Sequence, residues 1–343
     1  MDGNDVDWFI SLKMPTLSGK TESPFIKNGL AYFYADSNNQ DFRISQKDIN
    51  DPKSSMGMTV TQAIDATKSS DKFWLFYNDQ QPGRTDSDGH RAHAKGVMAF
   101  DSTQGFWLIH SAPRFADPDK AYYYPPTGTK FGQSFFCMTF EADQLHEIGR
   151  QIHVAQLSIT KFGFPDSFAQ YQKLQRAVKL GKSLGTKSCS FNRTTALKTK
   201  GGQWLTSYEK HRNFGKDLYS NQLVVNTKKA FYVETWLNGP RDYAPTCKTD
   251  DFVTNNRRIA PGGVEWSSAL DHSKWAVSAE PATVCIGDIN RQASQAKRGG
   301  GTMCIENQKI WKFFRDSIKT PECCAKVQGD CEAMPSDSVA TDE

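Results

Sequence analysis

The sequence predicts an α/β protein built from two similar halves. At 343 residues, the chain is long enough for two domains or for one large duplicated domain. A short pattern, His-x-Lys followed by an apolar segment, occurs at His93-x-Lys95 and again at His272-x-Lys274. The two histidines are 179 residues apart (272 − 93), close to half the chain, which indicates an ancient duplication.

Apolar and alternating runs in the first half predict strands separated by short helices. The strand over 6–13 loses its alternation at its polar end, and a polar loop with strong breakers, 78–83, ends the strand over 73–77. The Tyr- and Pro-rich stretch 113–132 is predicted to be a surface loop. Further strands are predicted over 30–34 and 135–140, and helices over 59–67, 142–149 and 168–180.

The first His-x-Lys pattern leads into a predicted hairpin. Its strands cover 97–100 and 106–111, and a turn joins them. The returning strand brings His110 back towards the end where His93 lies. Asp101 is a tempting partner to orient His93, but eight residues of straight strand span roughly 26 Å at about 3.3 Å each. We therefore reject this pairing unless a bulge folds the strand.

A polar seam separates the halves. The stretch 182–200 is interpreted as a solvated connector in preference to a dedicated DNA-binding element. A strand follows over 230–236. The Gly-rich run 298–302 could cradle phosphate with backbone amides, but we favour a tight turn that holds a last helix over 305–317. The tail after Met334 is expected to be disordered.

The second His-x-Lys pattern also leads into a hairpin. The outgoing strand covers 275–278, the turn is centred near 281, and the returning strand covers 283–290. This symmetry puts Asn290 about opposite His272. Each half therefore carries a His-x-Lys strand, a turn and a returning strand that ends in a polar residue.

The spacing within each pattern suits one kind of chemistry. Residues two apart on a strand point to the same face, so each copy places an imidazole beside an ammonium group. Two such pairs on one surface suit the displacement of an alcohol from a phosphodiester. One imidazole can attack phosphorus, the other can protonate the leaving oxygen, and the lysines can hold the phosphoryl oxygens. The isolated histidines are read as structural or solvated: His90, His146, His153 and His211.

Composition sets broader limits. The net charge of +4 and the pI near 8.5 are compatible with a polyanionic substrate without identifying one. No apolar run is long enough to span a bilayer. The eight cysteines include no CxxC pair, which argues against a structural zinc site. Their even number favours disulfides and an oxidising compartment, while buried free thiols remain an equal alternative.

Several segments together resemble the deoxyribonuclease II family of acid endonucleases. A single His-x-Lys arises often by chance, but the matching segments run nearly from end to end and are specific as a set. They are Val6-Asp7-Trp8-Phe9, Tyr77-Asn78-Asp79-Gln80, His93-x-Lys95-Gly96-Val97, 105–111, 214–220, 271–275, 287–291 and 298–302.

The resemblance implies a phospholipase D-like pseudo-dimer, in which each similar half is a mixed β-sheet flanked by helices and one His-x-Lys from each half meets at a shared site. We expect the halves to cover 1–181 and 182–334, with a disordered tail over 335–343. The acidic residue that usually follows the lysine in phospholipase D is displaced, to Asp101 in the first copy and Glu280 in the second.

The resemblance also implies disulfides. Cys285–Cys304 is the firmest expected pair, and Cys247 is expected to join Cys323 or Cys324. This chain lacks the family's cysteine near the mature N-terminus. The partner of Cys137 is therefore open, with Cys189 as a candidate.

The implied activity is metal-independent cleavage of double-stranded DNA at acid pH, with little sequence preference, no cofactor and 3′-phosphate products. We hypothesise that one of His93 and His272 attacks phosphorus while the other protonates the departing 5′ oxygen, and that water then hydrolyses the phosphohistidine. The sequence does not decide which histidine attacks. One imidazole must be neutral and its mate charged, so an acid optimum is expected. The residues assigned to the phosphate oxygens are Lys95, Lys274, Asn290 and His110.

Two other functions fit the same residues. A phospholipase D-like lipid phosphodiesterase would act on phosphatidylcholine and not on DNA. A catalytically inactive DNA-binding relative would bind at pH 5 without nicking. For the nuclease, we expect DNA as partner, no membrane, a possible homodimer that clamps duplex DNA, and an extracytoplasmic location: secreted or periplasmic, or lysosomal in a eukaryote.

Overall fold

The chain folds into two large β-sheets with helices packed on them. A computed structural model describes residues 3–19, 23–238, 241–247, 251–324 and 331. The predicted tail, 335–343, lies outside these residues. Within the described part of the chain, no helix has the length and apolar character needed to cross a membrane.

The first sheet is antiparallel throughout, where a mixed sheet was expected. Its strand order is β3-β2-β1-β7-β6-β5-β4-β8. Side chains alternate along each strand between two buried faces: Val97 and Ala99 enter one apolar cluster, and Met98 and Phe100 enter the other. The strands are β1 (Trp8–Lys13), β2 (Tyr32–Asp36), β3 (Arg43–Ile44), β4 (Phe73–Asn78), β5 (Lys95–Phe100), β6 (Gln104–His110), β7 (Gln133–Glu141) and β8 (Ile159–Gly163).

The second sheet is mixed, because β11 and β12 run parallel while the other neighbours are antiparallel. Its order is β13-β12-β11-β14-β15-β16-β10-β9, and β17 also pairs with β12. The strands are β9 (Asn192–Lys198), β10 (Trp204–Lys210), β11 (Phe231–Glu234), β12 (Val253–Ile259), β13 (Trp266–Ser267), β14 (Trp275–Ser278), β15 (Thr283–Gly287), β16 (Gly300–Glu306) and β17 (Ile318–Pro321).

The helices lie both between the sheets and on their outer faces. The largest apolar cluster joins the inner faces of both sheets to α3, α4 and α7. Outside it, α2 covers the first sheet and the segment that leads into α5 covers the second. The helices are α1 (Pro24–Lys27), α2 (Ser55–Ala66), α3 (Leu145–Ala155), α4 (Gln172–Val178), α5 (Val224–Thr227), α6 (Ala293–Ala296) and α7 (Gln308–Asp316).

Five central strands of one sheet match five strands of the other. The spatial order β1-β7-β6-β5-β4 corresponds to β10-β16-β15-β14-β11, and both sets follow the same order along the chain. In both sets, all neighbours are antiparallel. The strands that carry the two His-x-Lys patterns, β5 and β14, occupy the same place in each set. The two hairpins are formed as the sequence predicts.

Two predictions in the second half are wrong. The stretch 182–200 is not all connector, since β9 pairs along its whole length with β10 at the edge of the sheet. Polar residues dominate β9 because an edge strand has exposed positions on it. The Gly-rich run is not only a turn: Gly300 and Gly301 begin β16, so the last helix starts later, at Gln308.

Three disulfides connect the second half. Cys285–Cys304 joins β15 to β16, and Cys247–Cys324 settles the choice left open for Cys247, so both predictions are confirmed. The third disulfide is Cys323–Cys331. The candidate pair of Cys137 and Cys189 is wrong, because Cys137 is a free thiol buried in β7 and Cys189 is a free thiol in an exposed loop.

Candidate active site

The first His-x-Lys lies at the beginning of β5. Lys95 is the first residue of the strand, with Asn78 opposite it on β4 and His110 opposite it on β6. The hairpin therefore returns His110 to the end where His93 lies, as the sequence predicts. Lys95 is buried, whereas His93 keeps 13% of its side chain exposed. The imidazole is thus the more exposed of the two groups.

The second His-x-Lys lies just before β14. Lys274 is buried, and its Nζ donates to the carbonyl oxygen of His272 at 2.6 Å. Its backbone amide donates to Oγ of Ser134, at the beginning of β7 in the other sheet, at 3.2 Å. The ring of His272 stacks on Phe131, with centroids 4.0 Å apart and planes at 10°, and contacts Trp236 at 4.5 Å.

The two histidines exchange matching backbone hydrogen bonds with the opposite half. The amide of His93 donates to the carbonyl of Gly299, and the amide of His272 donates to the carbonyl of Gly132, each at 2.9 Å. Both acceptors are glycines at points of close approach between halves. A Cβ on Gly132 would lie 2.5 Å from Oδ1 of Asp271, and one on Gly299 would lie 1.9 Å from the carbonyl oxygen of Ala155.

A buried lysine in each half fixes the loop that provides these carbonyls. Nζ of Lys13, at the end of β1, donates to the carbonyls of Met14, Gly29 and Thr129 at 2.7–3.0 Å. At the end of β10, Nζ of Lys210 donates to three carbonyls in the segment before β16, at the end of α6 and just after it. They belong to Gln295, Ala296 and Arg298. Because these lysines end corresponding strands, they are a second symmetric pair.

The four histidine and lysine side chains lie close enough to affect one another's charge. Burial, the ammonium of Lys274 and then that of Lys95 lower the pKa of His272 to about 2. Burial and Lys95 also lower the pKa of His93 well below its usual range, and Lys274 adds to this effect. Burial and Lys95 lower the pKa of Lys274 to about 7. Each pattern is therefore within electrostatic reach of the other, and the site is densely cationic.

The acidic partner of the first pattern is Asp79, which sequence reasoning missed. Its Oδ1 accepts from Lys95 Nζ at 2.6 Å, and its Oδ2 lies 3.0 Å from the Arg298 guanidinium and 3.8 Å from His93 Nε2. Although burial opposes it, the charge of Lys95, together with His93 and Arg298, holds the pKa of Asp79 well below its usual range. The signal in the sequence was its place directly after β4, beside the strand that carries His93.

The two acidic residues proposed from sequence have other roles. Asp101 lies at the far end of β5 and accepts from the amides of Thr103 and Gln104 at 2.8 and 2.9 Å, so it caps the turn. Glu280 is exposed in the turn between β14 and β15. The displaced-acid interpretation is therefore wrong for both.

The remaining predicted site residues are buried. His110 packs against Phe115 and Phe135, and burial together with Lys95 lowers its pKa to about 3. Asn290 is 4% exposed and follows β15 by three residues. The continued register of β14 and β15 (Trp275 opposite Ile286) puts position 289 opposite His272, one residue from the prediction.

Sequence reasoning also missed Asp288, one position before Ile289. The carboxyl group is buried, and burial raises its pKa to about 7 against the lowering effects of Lys95 and Lys274. It is a carboxylic acid placed among the lysines of the site. Over the described residues, no group of three or more His, Cys, Asp or Glu is arranged to hold a metal ion.

Comparison with known proteins identifies similar chains. A family model described as Deoxyribonuclease II matches residues 1–324. The chain is 38% identical to cell-death-related nuclease 7 of Caenorhabditis elegans, over 94% of this chain and 87% of that one. It is 37% identical to plancitoxin-1 of Acanthaster planci (93% and 90% covered) and 33% identical to deoxyribonuclease-2-alpha of Rattus norvegicus (94% and 93% covered).

Proposed function

The chain belongs to the deoxyribonuclease II family of DNA-cleaving hydrolases, and we propose that it cuts double-stranded DNA at acid pH through a phosphohistidine, without a metal ion. The observation that carries this proposal is the reciprocal pair of hydrogen bonds, His93 to Gly299 and His272 to Gly132. Each bond ties the backbone of one histidine to the opposite half. Lys95 and Lys274 each act on both imidazoles, which supports a site where one phosphate could reach the two rings.

We also propose a phospholipase D-like pseudo-dimer, with halves over 1–181 and 182–334. Three symmetric features support it. Five strands correspond in order and direction, the histidine amides cross between halves, and Lys13 and Lys210 each donate to three backbone carbonyls. A duplicated half that pairs with its copy would generate all three.

The proposed reaction has two steps. In the first, an imidazole nitrogen bonds to phosphorus, the bond from phosphorus to the 5′ oxygen breaks, and that oxygen takes the proton of the second imidazolium. In the second, water bonds to phosphorus and gives its proton to the second imidazole, while the phosphorus–nitrogen bond breaks. The phosphate stays on the 3′ oxygen, so the ends are a 3′-phosphate and a 5′-hydroxyl.

The cationic side chains would stabilise the charge that develops on phosphorus. Lys95 and Lys274 are buried beside the two imidazoles, and ammonium groups fixed in a site of low dielectric stabilise a pentacoordinate phosphate strongly. We assign His110 and Asn290 to the same phosphate oxygens, because both are buried, His110 opposite Lys95 on β6 and Asn290 three residues beyond β15.

An acid optimum follows from the same groups. With a pKa lowered to about 7, Lys274 is fully charged at pH 5 and loses its charge as the pH rises past neutrality. Both histidine pKa values are lowered in the free protein, so acid and a bound phosphate anion are needed together to charge one ring. Cleavage is therefore expected to fall towards neutral pH.

Three further parts of the proposal concern the compartment, the sequence preference and the oligomeric state. The three disulfides support an oxidising, extracytoplasmic compartment, either secreted or periplasmic, or lysosomal in a eukaryote. We also propose little sequence preference, because lysines and imidazoles would contact the phosphate backbone, which is the same at every base pair. We also propose a homodimer that clamps duplex DNA, which light scattering would test.

The test is plasmid nicking between pH 4.5 and 8, with and without a chelator. We expect cutting that persists in chelator and falls towards neutral pH. Lys274→Met should abolish most of it, while Lys216→Met, which removes an exposed lysine of the same charge, should not. Product ends should block polymerase extension until a phosphatase removes the 3′-phosphate. Loss of cutting in chelator, or ends that extend directly, would contradict the proposal.

A further inference from the structure

The two imidazoles have unlike surroundings although their backbones are placed alike. His93 faces a carboxylate: its Nε2 lies 3.8 Å from Oδ2 of Asp79. Asp79 cannot turn away, since Lys95 and Arg298 bind its two oxygens at 2.6 and 3.0 Å and it is buried. Arg298 is itself fixed across the boundary by the carbonyls of Arg91 and Asp88, at 3.1 and 2.7 Å.

His272 faces aromatic rings and cations. Phe131 lies parallel to the imidazole at 4.0 Å, and Trp236 closes a second side at 4.5 Å. The indole is fixed by a hydrogen bond from Nε1 to the carbonyl of Ala269 at 3.2 Å. The charges that act most strongly on the ring are all positive: Lys274, Lys95, Lys13 and Lys130.

The difference arises at one equivalent position. Lys95 pairs with Asn78, so Asp79 is the next residue beyond the ladder of β4 and β5. In the second half, Trp275 pairs with Glu234 on β11. Continuing this register puts Lys274 opposite Thr235, so Trp236 is the next residue beyond the ladder. The indole of Trp236 therefore stands where the first half has the carboxylate of Asp79.

We infer that Asp79 makes His93 the imidazole that carries the proton, and that His272 is the nucleophile. This assignment rests on the proposed function and adds to it the identity of each histidine. In the first step, a lone pair of His272 bonds to phosphorus while the N–H of His93 gives its proton to the leaving 5′ oxygen. In the second, neutral His93 takes a proton from the water that displaces His272.

The physical reason is the sign of the neighbouring charge. Lys95, Arg298 and Lys274 also face His93, but the Asp79 carboxylate opposes them there, and a carboxylate stabilises an imidazolium. At His272, protonation of the ring would add a positive charge near four ammonium groups. A cation over an aromatic ring gains only about 0.5–2 kcal/mol. The stacked rings instead shield His272 from water and fix its plane, which suits an uncharged nucleophile.

The test uses a leaving group that needs no proton. A short DNA duplex carries one 5′-bridging phosphorothiolate, whose thiolate departs unprotonated, and is compared with the all-oxygen duplex. His93→Ala should lose about 10²- to 10⁴-fold on the oxygen linkage and recover most of that loss on the sulfur linkage. Because its second step lacks a base, this variant should also accumulate a DNA–protein adduct on the peptide that contains His272. His272→Ala should cleave neither linkage and form no adduct.

Asp79→Asn keeps the side-chain size and removes the charge. Its loss of activity on the oxygen linkage should be smaller than that of His93→Ala, with the same recovery on the sulfur linkage. A merely structural residue would not produce this pattern. Asp101→Asn, at the other end of β5, should cleave both linkages at the rates of the unaltered protein. Urea unfolding of each variant shows whether it is folded. If Asp79→Asn does not fold, His93→Ala alone provides the test.

The outcomes separate the two proposals. An adduct on His93, or recovery on sulfur by His272→Ala in place of His93→Ala, would overturn the assignment and leave the covalent scheme standing. Cleavage of the sulfur linkage by His93→Ala with no protein attached would overturn the covalent scheme itself, and the assignment with it.

Discussion

Replacing Asp288 by Asn should remove a strong pH dependence from the stability of the fold. Burial raises the pKa of this carboxyl group to about 7, whereas an aspartate in an unfolded chain titrates near about 3.9. Between these values the folded state holds a proton that the unfolded state has lost. Stability from this group is therefore complete below about pH 4 and is lost as the pH rises towards 7.

The magnitude follows from the two pKa values. Each pH unit between them costs about 1.4 kcal/mol, so the wild-type protein should lose about 4 kcal/mol through Asp288 between pH 4 and pH 7. Asparagine is close in shape to a protonated aspartate and does not titrate. The variant should therefore match the wild type near pH 4 and be more stable by about 4 kcal/mol at pH 7.

Urea unfolding, followed by tryptophan fluorescence at half-unit steps from pH 4 to 7.5, measures the difference. Glu280→Gln is the matched control, because it removes an exposed carboxyl group from the hairpin turn next to β15. Its difference from the wild type should not change with pH. If the Asp288→Asn difference were equally flat, the carboxyl group would be ionised in the fold and neutralised by Lys95 and Lys274. The reasoning from burial would then fail.

Three other substitutions test how the scaffold is held. Lys210→Met leaves three buried carbonyls without their donor and should destabilise the fold by about 3 kcal/mol or more in urea, while Lys216→Met should have no measurable effect. Asn307→Ala removes the side chain that accepts from the Lys309 and Ile310 amides at the start of α7, and should cost about 1 kcal/mol by the same measurement. Replacing Cys285 and Cys304 together by serine opens a link with a sequence separation of 19 and should cost about 3 kcal/mol, read as a lower melting temperature.

Local patterns predicted the hairpins well. Strands joined by a short turn must pair with each other, so the sequence placed His110 near the beginning of β5. The same reasoning correctly rejected Asp101, because a straight strand separates it from His93. Cys285 and Cys304 occupy paired positions on adjacent strands, which explains why that disulfide forms.

Contacts between distant segments could not be predicted in this way. Arg298 is 219 residues from Asp79, and its guanidinium reaches that carboxylate only because two sheets meet at one boundary. Asp79 itself lies 16 residues before Lys95, directly after a strand whose neighbours the sequence did not define. β9 was missed for another reason: its polar residues are typical of a connector, and only its pairing with β10 makes it a strand.

The exchanged hydrogen bonds of His93 and His272 join parts of the fold that lie far apart along the chain. Each histidine amide donates to a carbonyl of the opposite half. The chain segment that links the two halves contributes no donor or acceptor to either of these hydrogen bonds. We therefore expect that a protease cut in this segment would leave a nicked but assembled protein.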